Sequence, residues 1–485
     1  MESTESFAKA LLLKHFLHQP TFGQVELIDK ISSFLLNQKT DTIFILKGYA
    51  GTGKTTIISA LVKTLPELKL KSVLLAPTGR AAKVLGNYSD KQAFTIHKKI
   101  YHKRANEDGV VNFVLAANLH TNTIFIVDEA SMISNAGGLG YSKAFGNTSL
   151  LNDLINYVSQ GTNCKLIFVG DTAQLPSVGL AISPALDEIY LQKNYNYKIE
   201  KTELTDVVRQ KQLSGILENA TDLRELLNQQ NQTPKSKIRN PKFILNSFKD
   251  IVRINGSELE DALNEAYSRN GAEETMVICR SNSRANQYNQ QIRARIRWQE
   301  NEISAGDLMM VVKNNYFWLP EESKAGFIAN GDIVEILKVL ETKEIYGFRF
   351  ADVNIRFVDY PDEPVLETKI LLDTIMSEAP SLTQPENKRL YEAVLQDYLH
   401  IENKNSRFQK IRTDPFLNAL QVKFAYAVTC HKAQGGQWNS VFVEQGYLTD
   451  EMLNTEYLRW LYTAVTRAKE KLYLVNFNKD FFEEE

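Results

Sequence analysis

Thr42-Ile43-Phe44-Ile45-Leu46, followed after Lys47 by Gly48-Tyr49-Ala50-Gly51-Thr52-Gly53-Lys54-Thr55, is the stretch that decides the fold. The first run is apolar and β-branched, the signature of a buried strand, and Thr56 to Leu65 behind it has helical patterning. The eight residues between fit G-x-x-x-x-G-K-[ST]. Glycines let the backbone curl until its N–H groups face phosphate oxygens, and the helix N-terminus adds partial positive charge. On this reading Lys54 neutralises the β- and γ-phosphates of ATP and Thr55 ligates Mg²⁺, while Gly48, Ala50, Gly51, Thr52, Gly53 and Thr56 complete the cradle.

Two further strand ends supply partners for that loop. Ile124-Phe125-Ile126-Val127 runs into Asp128-Glu129, and adjacent carboxylates at a strand end call for a cation or a proton-transfer task. Asp128 is expected at the Mg²⁺ and Glu129 as the base that polarises the attacking water. Leu166 to Asp171 ends another strand, and Gln174 follows it, placed to contact both water and γ-phosphate.

The chain has 485 residues, about three domains at some 150 residues each. It is 43% hydrophobic and 24% charged, and its apolar runs fall far short of the ~18 residues that span a bilayer. No leader pattern interrupts that picture, so a cytoplasmic protein is expected. Cys164, Cys279 and Cys430 are scattered and read as reduced, with no metal spacing. A net charge of −2 lacks the basic excess of many nucleic-acid proteins, so any such partner must be held by a local groove.

Strands alternate with amphipathic stretches at Thr42 to Leu46, Ser72 to Ala76, Thr123 to Val127 and Lys165 to Val169, and again at Thr275 to Cys279, Phe424 to Thr429, Ser440 to Glu444 and Lys471 to Val475. This predicts an α/β fold with two parallel sheets. Between them, Gly306 to Asp373 reads as strand after strand, a small inserted β-barrel. Ser377 to Asn418 reads as a linker or exposed helical arm with a helix near Glu386 to Ile401, and Gly137 to Thr148 as a mobile loop. Ile100 to Asn122, with Asp108-Gly109 at its middle, reads as a hairpin.

Gly48 to Thr56, Ala76-Pro77-Thr78-Gly79-Arg80-Ala81-Ala82, Ile126 to Met132, Val169 to Gly179, Thr429-Cys430-His431-Lys432-Ala433-Gln434-Gly435 and Leu461 to Lys469 resemble, in order, the motifs of superfamily 1 helicases of the RecD, Dda and Pif-type branch. The resemblance implies two RecA-like P-loop NTPase domains clamping ATP, an inserted SH3-like β-barrel, and 5′ to 3′ movement on single-stranded DNA. It divides the chain into a first RecA-like domain at 1–205 with a pin-like insertion at about 100–122, a second at 206–305 and 421–485, and the barrel with its arm at 306–420.

The resemblance also assigns residues. Arg209 and Arg467 fall at the two arginine fingers, which stabilise charge on the γ-phosphate from across the cleft. Gln24 matches the glutamine that reads adenine, although a helix cap is the competing reading. Pro77, Thr78, Gly79, Arg80, Thr95 and His97 in the first domain, and Thr429, His431 and Lys432 in the second, would track DNA phosphates without reading bases. Gln437 stands where relatives carry Glu and would meet the ribose. The implied partners are single-stranded DNA, duplex forks and replication or repair proteins, with the chain acting as a monomer. The N-terminal extension of longer RecD-like proteins is absent from this sequence, so a place in a nuclease complex is not expected. An ATP-gated clamp or a protein-displacing translocase is the alternative function; a metabolic P-loop kinase would leave the second set of α/β motifs unexplained.

Overall fold

The computed structural model describes residues 4–483, apart from 17, 38, 106–110, 136–148, 207–213, 233–238, 321–322 and 324–326. Strand Thr42–Gly48 lies inside a six-stranded sheet whose spatial order is Ala93–Thr95, Lys71–Ala76, Thr123–Val127, Lys165–Gly170, Thr42–Gly48 and Lys198–Leu204. Every pairing is parallel, with Ile43 opposite Leu166 on one side and Thr42 opposite Lys198 on the other. Both faces are covered, which is why the central strands read as unbroken apolar runs. Ile43 and Ile45 point to a core shared with helix Leu150–Ser159, whereas Phe44 and Leu46 point to helices Phe22–Leu36 and Lys54–Thr64.

A second, five-stranded parallel sheet has the order Ala427–Thr429, Thr275–Cys279, Trp438–Glu444, Ala468–Val475 and Ile251–Ile254. A closed barrel joins Leu308–Val311, Ile333–Ile345, Phe348–Phe357, Leu366–Leu371 and Leu420–Phe424. The architecture therefore has the two α/β lobes and the inserted barrel that the strand grammar predicts.

Two details differ from the sequence expectation. The apolar stretch Phe424 to Thr429 is not one strand: the chain leaves the barrel after Phe424 and enters the second sheet at Ala427. The Asn289 side chain causes the break, since its Oδ1 accepts from the Tyr426 and Ala427 amides at 3.0 and 2.7 Å and removes them from any ladder. The barrel thus takes its fifth strand from beyond residue 373. The intervening segment is packed rather than a linker. Helix Gln384–Asp397, opened by a Thr383–Glu386 capping box, and helix Lys404–Arg412 lay Leu390, Val394 and Ile411 on Phe348, Phe350 and Leu371 of the barrel.

The hairpin is present, Tyr101–Ala105 pairing antiparallel with Val111–Leu115. Its Asp108-Gly109 turn lies outside the described residues, as does the loop at 137–148. Cys164, Cys279 and Cys430 are buried and free. Among the described residues no helix is long and apolar enough to cross a membrane.

Candidate nucleotide cleft and nucleic-acid interface

The loop after Thr42–Gly48 can only be built from the residues it has. Gly51 and Gly53 adopt φ of 78° and 86°, a region that side chains disfavour. A Cβ on Gly48 would come within 2.9 Å of Thr52 Oγ1 and 3.0 Å of Lys54 Cγ. Helix Lys54–Thr64 then starts at Gly53 with no side-chain cap, which leaves its first amides facing the loop. Thr55 and Thr56 occupy that first turn. Lys54 Nζ donates to the carbonyls of Gly48 and Tyr49 at 2.6 and 2.9 Å.

Gln24 fills the cap role that competes with adenine recognition, and it also reaches the phosphate loop. Its Oε1 accepts from Thr21 N at 3.0 Å within a capping box, and its Nε2 donates to Thr52 O at 3.0 Å. The amide therefore ties helix Phe22–Leu36 to the phosphate loop.

Asp128 and Glu129 stand at the end of Thr123–Val127, with Glu129 N donating to Asp128 Oδ1 at 2.9 Å and Glu129 itself at φ 50°. Burial, reinforced by Glu129, pushes the Asp128 carboxyl up to about 7, while Lys54 pulls it the other way. Such a pair suits a divalent cation, and Thr55 and Asp128 are the residues that would hold Mg²⁺. Gln174 is buried, its Oε1 without a hydrogen-bond partner among the described residues.

The second lobe reaches this cleft through helix Thr455–Val465. Tyr462, fully buried, accepts from Ala50 N at 2.8 Å and donates to Asp171 Oδ2 at 2.7 Å. Thr463 Oγ1 accepts from Leu175 N at 2.8 Å, and Gln434 Nε2 donates to Leu175 O at 2.5 Å. Arg467 is buried behind them, donating to Thr463 O, Gly436 O and Thr466 Oγ1 at 3.0, 3.2 and 3.2 Å, with its charge felt at the Tyr462 phenol. Arg209 lies outside the described residues.

Gln437 also sits between the lobes. Its Oε1 accepts from Tyr88 OH at 3.1 Å and its carbonyl from Arg80 Nη2 at 3.3 Å. Burial raises the Tyr88 phenol, and the Asp128 charge adds to it.

The candidate nucleic-acid loops lie close together. Pro77 leads into helix Gly79–Ser89, which Thr78 caps by accepting from Ala81 N at 3.2 Å. From the second lobe Gly435, at φ 75°, packs on the same turn, with Thr78 Oγ1 only 3.1 Å from where its Cβ would be. Thr95 caps helix Ile96–Ile100. Burial drives the His97 imidazole down to about 4, so it is neutral near pH 7 and offers phosphate no positive charge. Thr429 precedes the short helix Cys430–Ala433 that carries His431, whose imidazole burial also lowers, and Lys432, whose amine burial lowers to about 8. Arg80 is engaged rather than free, stacked 5.3 Å from the Trp438 ring and paired with Asp359 at 3.2 Å.

Sequence reasoning missed Tyr88, Asp171, Gln434, Tyr462 and Thr463 as site residues. One signal pointed to the last two: Tyr457 to Val465 is apolar nearly all round, so its hydroxyls must find partners inside.

Residues 23–233 match the AAA domain family and residues 424–475 the UvrD-like helicase C-terminal domain. An uncharacterised protein R530 of Acanthamoeba polyphaga mimivirus is 26% identical over 517 residues, covering 92% of this chain and 97% of its own. The ATP-dependent RecD2 DNA helicase of Deinococcus radiodurans is 31% identical over 158 residues, 32% of this chain and 19% of that protein. The RecBCD enzyme subunit RecD of Buchnera aphidicola is 24% identical over 482 residues, 89% of this chain and 70% of that one.

Proposed function

Because the chain belongs to the superfamily 1 helicases of the Pif1/RecD-like branch, we propose that it is an ATP-dependent DNA helicase that moves 5′ to 3′ along single-stranded DNA and parts duplex forks. The observation that carries this reading is the meeting of two lobes at one phosphate loop: Tyr462 from the second lobe holds Ala50 of the cradle and Asp171 beside Gln174. A kinase would have no use for that second lobe.

In the proposed reaction the amides of Gly51 to Thr55 and the Lys54 ammonium bind the phosphates, and Thr55 and Asp128 are the residues that would hold a Mg²⁺ ion, which would supply charge neutralisation. Glu129 takes the proton of the attacking water, and Gln174 orients that water. Arg467 and Arg209 draw the lobes together as charge grows on the γ-phosphate. Opening and closing of the cleft is passed to the strand because Thr78, Gly79 and Arg80 follow directly from the first sheet, and Thr429, His431 and Lys432 from the second. Backbone amides, small hydroxyls and two cations would grip phosphates without reading bases. The hairpin Tyr101–Ala105 and Val111–Leu115 is the proposed strand-separating pin.

A fluorescent fork assay tests the assignment. Unwinding of 5′-tailed forks with Mg-ATP is expected; unwinding of 3′-tailed forks alone would refute the polarity. Displacement of a bound protein with no strand separation on either fork would favour a translocase.

A further inference from the structure

The barrel turn Ala329-Asn330-Gly331-Asp332 stands where the two candidate nucleic-acid loops approach each other. On the second-lobe side, Lys432 Nζ donates to Asn330 Oδ1 at 2.9 Å. On the first-lobe side, the Asp332 carboxylate lies so close to Gly79 that any side chain there would collide with it, and the Tyr360 hydroxyl is 3.2 Å from the same place. Beyond the next two strands, Asp359 Oδ1 is 3.2 Å from both Arg80 Nη1 and Lys83 Nζ. Lys98 of the first lobe feels the charges of Glu363 and Asp332.

This is an unusual way to pack a barrel on a lobe. Asp332 and Asp359 are both buried, and one oxygen of each, Asp332 Oδ1 and Asp359 Oδ2, has no hydrogen-bond partner among the described residues. Burial, with Asp359 adding to it, pushes the Asp332 carboxyl up to about 7. A permanent contact would be cheaper with apolar side chains, because burying two carboxylates carries a desolvation penalty that incomplete pairing does not offset. What the two carboxylates and the Asn330 amide do present is a row of oxygens to the Gly79 backbone, Arg80, Lys83 and Lys432. A nucleic-acid backbone would present the same groups with phosphate oxygens.

We propose that the barrel face bearing Asn330, Asp332 and Asp359 is an autoinhibitory latch, a stand-in for phosphate that occupies the nucleic-acid loops until single-stranded DNA displaces it. The proposal rests on the assignment of those loops to DNA made above. It gives the barrel a definite task, which is to keep an idle enzyme from gripping strands weakly. Asp332 and Asp359 are then negative determinants of affinity, opposite in sign to any scaffold role.

The experiment is fluorescence anisotropy of a labelled oligothymidylate titrated with the full-length chain, without nucleotide, for wild type, Asp359→Asn and Asp332→Asn/Asp359→Asn. The latch requires the variants to bind more tightly, the double variant by about tenfold, since Asp359 no longer holds Arg80 and Lys83 as an anion and Asp332 no longer adds charge beside the Gly79 turn. Unchanged or weaker binding by folded variants overturns it. Should the double variant fail to fold, hydrogen exchange on wild type decides: the amides of Gly331 and Asp332, bonded to Val311 O and Ala329 O at 2.8 and 3.1 Å, must exchange faster once the oligonucleotide is bound. Slower exchange there overturns the latch. Absence of binding by every form would instead overturn the DNA reading itself, and the latch with it.

Discussion

The Tyr462 hydroxyl accepts the Ala50 N–H at 2.8 Å, so a side chain of the second lobe is hydrogen-bonded to the backbone of the phosphate loop in the first. The same oxygen donates to Asp171 at the end of strand Lys165–Gly170. Any change in the loop's occupancy is thereby felt by helix Thr455–Val465, whose C-terminal end leads into Arg467.

Tyr462→Phe keeps the buried ring and removes only this link. Leaving a buried amide and carboxylate without their partner costs about 1–3 kcal/mol. The folded chain should therefore be less stable by about that much, seen as a lower thermal midpoint, and the stimulation of turnover by DNA should fall as the lobes lose this link. Thermal unfolding and ATPase assays check this; unchanged values for both would show the bond to be incidental.

Arg467→Ala removes three donors to Thr463, Gly436 and Thr466 near the cleft. A finger that acts on growing charge is felt in turnover and little in binding, so the maximal rate should drop by about 10³-fold or more with nucleotide affinity largely kept. Full DNA-stimulated turnover in this variant would remove it from the reaction.

Asp128 makes stability depend on pH in an unusual direction. Its folded carboxyl titrates at about 7, against 3.8 for the ordinary group. Between those values the folded chain holds a proton that the unfolded chain has lost, so this group favours folding at low pH and the benefit disappears as pH rises through about 7. In metal-free buffer the thermal midpoint of wild type should fall relative to Asp128→Asn between pH 5 and 8. Parallel curves would mean that Asp128 is ionised throughout.

Lys432 is the second-lobe cation nearest the barrel turn, and burial leaves its amine at about 8, still charged at neutral pH. If it contacts phosphate, Lys432→Ala should weaken single-strand binding equally for every sequence and flatten the plot of log affinity against log salt by about 0.7. An unchanged slope would place it off the strand.

Much of this was legible in the sequence because local chemistry encodes it. The strand Thr42–Gly48, its glycine turn and Lys54 depend on neighbours in the chain, and so does the pairing of Asp128 with Glu129 at the next strand end. Edge strand Lys198–Leu204 was illegible because charged residues interrupt it throughout, at the rim of the sheet where no continuous apolar run is needed. The fifth barrel strand hid inside a longer apolar run, since what divides it is Asn289, well over a hundred residues away. Arg80 reads as a cation for phosphate, yet Asp359 and Trp438 hold it, and no spacing rule reports a partner on another domain. Tyr462 escaped for the same reason.

The central claim is that two lobes close on one triphosphate and that a bound strand governs its hydrolysis. The most direct measurement is steady-state ATP turnover by the purified chain with and without single-stranded DNA, alongside Lys54→Ala. Turnover that rises severalfold or more with DNA and vanishes in the variant is the expected result. Hydrolysis identical with and without DNA in a folded, Lys54-dependent enzyme would contradict it.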